Sequence, residues 1–170
     1  MASRLNPLDL VVALRLLSGD HKFATLAADL GVSLSQVHKS VQHLALAQLL
    51  RPGSREVNRI HLAEFLIHGV RYAFPARPGV RALGVPTSHS APELASEIDA
   101  AEAYVWPSAI GDVVGFAIEP LYAGAPQLRE RSPETYRLLT LVDALRVGSS
   151  RERRIAEGRL KAALAPRLAA

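Results

Sequence analysis

Apolar positions recur at helical spacing through the first third of the chain. Residues 7–17, PLDLVVALRLL, are apolar nearly all round, with Val11, Val12, Leu14, Leu16 and Leu17. A helix of that kind is buried on more than one side. Asn6 suits its N-cap, Pro7 its first position and Asp9 the positive end of its dipole, and Ser18-Gly19-Asp20 ends it. It is either plain core or a dimerisation helix. A second helix is expected from His21 to Leu30, with Leu26, Ala27 and Leu30 inward and Gly31 at its end, where positive φ is wanted. Ser33 then caps a third helix over 33–47, and Gln36, three residues on, completes a capping box. Val37, Val41 and Leu44 form its inward stripe. Ser35, Lys39, Gln42 and Leu46 fall on the opposite face, flanked by His38 and His43.

The pattern changes beyond residue 50. Glu56 to Phe74 is expected as a helix with Ile60, Ala63, Ile67, Val70 and Phe74 as its apolar stripe, and with Gly69 as a weak point. Pro75 to Glu93, with four prolines and two glycines, reads as a long loop. A short acidic helix is expected over Ala91–Ala103. Asp112–Tyr122 alternates like a strand, with Val85 or Tyr104-Val105 as companions. Ser132-Pro133-Glu134 caps a helix carrying Tyr136, Leu139, Leu141, Val142 and Leu145 inward. After Gly148, a second capping box, Ser149 with Glu152, opens a basic helix running to the C-terminus, with Ile155, Leu160 and Leu164 as a thin apolar seam. The expected fold is mainly α with small β. Residues 1–74 form one unit, and residues 75–170 form an α-rich extension containing a short sheet.

Composition narrows the core. Hydrophobic residues make up 49% of the 170 and aromatics only 5%, so Leu, Ala and Val must fill it. There is no cysteine, which excludes disulfides and thiolate metal sites and fits a reducing cytoplasm. The N-terminal apolar run is interrupted by Asp9 and Arg15 and lacks a small-residue cleavage site, so it reads as a core helix rather than a signal peptide. No apolar stretch is long enough to span a bilayer.

Charge is unevenly spread. Residues 1–60 carry net +3, residues 61–125 net −4 and residues 126–170 net +5. A basic first third suits a polyanion partner. The chemistry of the third helix agrees. Ser and Gln side chains donate to and accept from base edges, Lys39 meets phosphate or guanine, and His does either according to its protonation. No acidic residue lies between Val32 and Leu50 to repel phosphate.

The stretch LAADLGVSLSQVHKSVQHLALAQLL resembles winged helix-turn-helix regulators of the MarR-like kind, over roughly residues 8–60. The resemblance implies an N-terminal winged helix-turn-helix that binds double-stranded DNA. Arg51, Arg55 and Arg59 would then be phosphate contacts on or beside the wing. Two positions depart from the family. Gln48 stands where glycine is usual, and the wing segment 51–55 is short. The full expected DNA-binding set is Ser33, Ser35, Gln36, His38, Lys39, Gln42, His43, Arg51, Arg55 and Arg59. A homodimer is expected, because one small module buries too little DNA for tight specific binding. The segment from EFLIHGVRYAFPARPGV to ALRVG-x-x-RERR also resembles antitoxins of the abortive-infection type, which implies a nucleotidyltransferase-like toxin as a protein partner.

Enzyme chemistry finds little support. There is no phosphate-cradling glycine loop, no thiol and no carboxylate pair with a convincing partner. Ser88-His89-Ser90 are adjacent in sequence, which does not make a triad. His61 and His68 lie seven apart without a third metal ligand. No catalytic residue, metal or cofactor is expected.

Overall fold

A capping box starts the first helix in the computed structural model, which describes residues 4–19 and 22–166. Asn6 Oδ1 accepts from the Asp9 amide at 3.3 Å, and Asp9 Oδ2 accepts from the Asn6 amide at 2.7 Å. Helix α1 (Pro7–Leu16) comes next, and Leu10 through Leu14 are wholly excluded from solvent. Its all-round apolar pattern is explained within the chain. It packs against α3 (Leu34–Leu46) and α8 (Pro133–Val147), which leaves no free face for dimerisation.

Helix α2 spans Phe23–Leu30, and His21 lies outside the described residues. Gly31 takes φ +64, so the Val32 amide reaches Ala27 O at 3.0 Å and closes the last turn. The end of α3 repeats the motif: the Leu49 amide donates to Leu44 O at 2.9 Å and the Gln48 amide to Ala45 O at 3.1 Å. Here Gln48 holds the left-handed position, at φ +59. A side chain there costs about 1–2 kcal/mol, part of which glycine returns through its floppier unfolded chain. Gln48→Gly is therefore expected to stabilise the protein by about 1 kcal/mol, read as a higher denaturant midpoint at constant m-value. A midpoint that falls would show that Gln48 contributes more through contacts than it costs through strain.

Leu50 bridges Val57 in a short antiparallel hairpin, with the Arg51 amide donating to Glu56 O at 2.8 Å. Because Val57 is buried in this hairpin, the next helix starts later than Glu56. Asn58 caps α4 (Arg59–His68), and Gly69 separates it from α5 (Val70–Ala73). The buried face is Leu62, Leu66 and Val70, while Ile60 is 76% exposed. Of the expected stripe, Val70 is buried and Ala63 and Phe74 pack against the core, but Ile60 faces solvent and Leu62 and Leu66 take the core positions.

The expected loop 75–93 contains a strand, β1 (Arg81–Pro86). Of the expected acidic helix only one turn forms, α6 (Pro92–Ala95). Strands β2 (Tyr104–Pro107) and β3 (Val113–Ala117) complete a small sheet. β1 runs antiparallel to both, with Val85 opposite Trp106 and Leu83 opposite Val114. β2 and β3 pair in parallel, so the three strands close on one another. This closure needs Gly84, where a Cβ would lie 2.2 Å from Trp106 O.

A one-turn helix, α7 (Leu128–Arg131), leads into α8. Ser132 does not cap α8 as expected; its hydroxyl lies 2.8 Å from that of Thr135. The Ser149–Glu152 box does open α9 (Ser150–Leu164), whose buried seam is Ala156, Leu160 and Leu164, with Ile155 only half-buried. Residues 167–170 lie outside the described residues. α8 is the central strut, and Asp143 within it is completely buried. Asp143 accepts from Thr87 Oγ1 at 2.8 Å, Trp106 Nε1 at 2.6 Å and Arg146 Nη1 at 2.7 Å. Arg146 also donates to the carbonyls of Phe74 and Glu119. Burial pushes the Asp143 carboxyl up, against the pull of Arg146, Thr87 and Trp106.

Tyr136 packs edge-on to Trp106 and donates to Pro86 O at 2.7 Å. Burial lifts its phenol to about 12. The folded chain thus holds this proton more tightly than the unfolded chain does. Its contribution is complete below about pH 10 and is lost as pH rises towards about 12, a swing of about 3 kcal/mol. Tyr136→Phe is expected to flatten the fall in thermal midpoint over that alkaline window. An unchanged alkaline slope would assign it to other groups.

The segments 1–74 and 75–170 share a single hydrophobic core running from Leu10 to Leu164. α2 touches α7, α5 touches α8, and α4 touches α8 and α9. No described helix is long and apolar enough to cross a membrane.

Candidate nucleic-acid interface

Local sequence sets how α3 presents itself. Ser33 Oγ accepts from the Gln36 amide at 3.2 Å, and Gln36 Oε1 accepts from the Ser33 amide at 2.9 Å. These two side chains, expected among the DNA contacts, are engaged in fixing the start of the helix. Val37, Ser40 and Leu44 seat α3 on the core, and Ser35, His38, Lys39 and Gln42 stand exposed on the other side. Leu34 and Leu46 are exposed on the same helix, at 51% and 65%.

His43 does not share that outer face. Its Nδ1 lies 2.9 Å from Oδ2 of the fully buried Asp9 and 3.3 Å from Asn6 Nδ2. The contact ties α3 to the cap of α1, which is a positioning role. Arg59 is also directed elsewhere: its Nη1 lies 3.4 Å from Ala163 O in α9.

The hairpin stands beside α3. The Arg55 guanidinium lies 4.1 Å over the centre of the Phe23 ring, and Phe23 meets His38 edge-on, centroids 4.3 Å apart. Hairpin, α2 and α3 are thereby joined through one stack, in which the cation–π contact is worth about 0.5–1 kcal/mol at such an exposed place. Arg51 sits 3.5 Å from Glu56 in an exposed ion pair. Between the hairpin and the last turn of α3 runs a groove of about 800 Å³, walled by Ala45, Gln48, Arg51, Arg55 and His61. His61 Nδ1 donates to the carbonyl of the left-handed Gln48 at 2.8 Å, steadying the rim of this groove. Phe23 and His61 were not anticipated from sequence. Phe23 opens a helix rich in small residues, but nothing local indicates that Arg55, thirty-two residues on, will lie over it.

The Ser88-His89-Ser90 segment forms a tight 3-10 turn, with Ser88 and His89 buried. His89 Nε2 donates to Glu102 O at 2.8 Å, and Ser90 Oγ accepts from the Tyr104 amide at 2.8 Å. The turn thus ties β1 to the β2 end of the sheet. Among the described residues, no group of three or more His, Asp or Glu side chains is placed to hold a metal ion.

No family model, curated protein or solved structure matches this chain.

Proposed function

We propose that this protein is a sequence-specific DNA-binding regulator of the winged helix-turn-helix kind. The observation that carries the reading is the outer face of α3, where Ser35, His38, Lys39 and Gln42 are exposed together on a helix without a single acid. An α-helix fits the major groove, where Gln reads adenine through paired hydrogen bonds and Lys meets guanine or phosphate. The capping box and the Asp9–His43 contact hold that helix at both ends of its length. The hairpin serves as the wing. Arg51 and Arg55 line the groove beside it, and the Phe23 stack sets Arg55 next to the reading helix.

Fluorescence anisotropy with a labelled duplex of the gene's own upstream region tests the reading. The wild-type chain is expected to bind it more tightly than a scrambled duplex of equal length, and Lys39→Ala/Gln42→Ala to lose that preference. A double variant that binds as the wild type does at matched salt would overturn it.

A further inference from the structure

We propose that Arg131, seated on the turn between α2 and α3, is a DNA-phosphate contact supplied by residues 75–170. The proposal rests on the DNA-binding reading above and adds to it a residue outside the helix-turn-helix and its wing. A Cβ on Gly31 would lie 2.8 Å from Arg131 Nη1, so the guanidinium rests against the backbone of that turn. Gly31 and Arg131 are both exposed. Two residues after Gly31 comes Ser33, the cap of α3, and four after it comes Ser35, where the reading face begins. The base that carries Arg131 is fixed. α7 packs on α2, Ala125 and Leu128 are wholly buried, and the Ser132 amide donates to Leu128 O at 2.9 Å. Gly124 lets this segment come close: a Cβ there would lie 3.1 Å from Leu30 O at the end of α2.

The charge of Arg131 is left open. Arg129, two residues earlier, is held by both oxygens of Asp112, and Arg137 bridges Glu93 and Glu134. Arg131 pairs with no carboxylate among the described residues. Acids that could offset it are engaged or turned aside. Asp29 on α2 pairs with Arg15 at 2.8 Å, and Glu130 lines a hollow shared with Asp112 and Arg129. Tyr122, close enough to feel the guanidinium, is a phenol that burial keeps protonated. A fixed, unpaired guanidinium on an exposed turn is a ready partner for an anion. Position selects a duplex as the source of that anion. In a helix-turn-helix the second helix enters the major groove and the first crosses the phosphate backbone. Arg131 stands where the first helix hands over to the second. Arg51 and Arg55 border α3 near its other end, by Ala45 and Gln48. The 13 residues of α3 set the two positions about 20 Å apart. A major groove about 12 Å wide, bordered by a backbone on each side, fits between them. Arg131 therefore meets one strand and the wing the other.

A salt series of anisotropy titrations, with the upstream duplex and a scrambled duplex, tests the proposal. Arg131→Ala is expected to weaken both complexes about threefold to tenfold and to lower the slope of log K against log salt by about 0.9. The ratio of the two affinities should stay as in the wild type, whereas Lys39→Ala/Gln42→Ala, which tests the reading itself, should lose that ratio. Arg131→Lys keeps the charge and should keep the wild-type slope. Arg129→Ala removes the same charge two residues away and should keep it too. Circular dichroism spectra and thermal midpoints should match the wild type throughout, and Arg131→Lys decides the matter if alanine unsettles the turn. An Arg131→Ala chain with wild-type affinity and slope on both duplexes overturns the proposal and leaves the DNA-binding reading standing. So does an Arg131→Lys chain with the alanine slope. An Arg129→Ala chain that loses as much as Arg131→Ala also overturns it, because net charge is then the cause. A wild-type chain that binds neither duplex overturns both the proposal and the reading.

Discussion

Asp143→Ala is expected to remove about 3–5 kcal/mol of folding stability, the largest loss expected here from a single substitution. The side chain is wholly buried and accepts three hydrogen bonds from three parts of the chain: Thr87 just after β1, Trp106 in β2 and Arg146 one turn along α8. Alanine would leave a hydroxyl, an indole N–H and a guanidinium buried without their acceptor. An orphaned neutral donor costs about 1–3 kcal/mol and an orphaned charge more. Since domains are stable by only about 5–15 kcal/mol, most of the margin would go. Asp143→Asn keeps one acceptor oxygen for Trp106 or Thr87 but loses the charge facing Arg146, and should fall between alanine and wild type. Adding Arg146→Met to Asp143→Ala should restore only part of the loss, because the Thr87 and Trp106 donors stay unpaired. Denaturant unfolding measures all three variants. A loss under about 1 kcal/mol for alanine would mean that the network contributes little to stability.

The second large effect falls on DNA binding. Lys39→Ala/Gln42→Ala is expected to cost about 2–4 kcal/mol of specific affinity, a loss on the order of 100-fold at matched salt. The two side chains should fail in different ways. Lys39→Ala removes a phosphate-seeking charge, so it should weaken specific and non-specific binding alike and lower the slope of log K against log salt by about 0.9. Gln42→Ala removes a base-reading amide, so it should reduce the preference for the cognate duplex and leave the salt slope unchanged. Equal behaviour of the two variants on cognate and scrambled DNA would count against a reading role for Gln42.

The parts of this fold visible in the sequence are those held by contacts three or four residues apart. The caps at Asn6, Ser33 and Ser149 are such contacts, and all three form as expected. So is the division of α3 into a buried face and an exposed polar face. What the sequence concealed depends on distant partners. β1 lies in a proline-rich stretch and is a strand because residues 104–107 and 113–117 come to pair with it. His43 looks like a polar residue on a polar helix until Asp9, thirty-four positions earlier, is placed beneath it. In α4 the expected stripe ran through Ile60, but Leu62 and Leu66, against the rest of the core, are the buried positions. Within the candidate site, the exposed side chains of α3 were legible for the first reason. The Arg55–Phe23–His38 stack was not, because it joins three elements.

The enclosure of α1 between α3 and α8 has a consequence for how this chain can be divided. Residues 1–74 are not a detachable reading head. A cut after Phe74 would strip away α8 and leave one side of a helix apolar all round facing water. Neither half is expected to survive alone in a fusion or a truncation, and heating the intact chain should give a single transition. The sheet and α3 rest on the same hydrophobic core. The role of residues 75–170 is best dissected by surface substitutions, since excising the segment would take the fold of α3 with it.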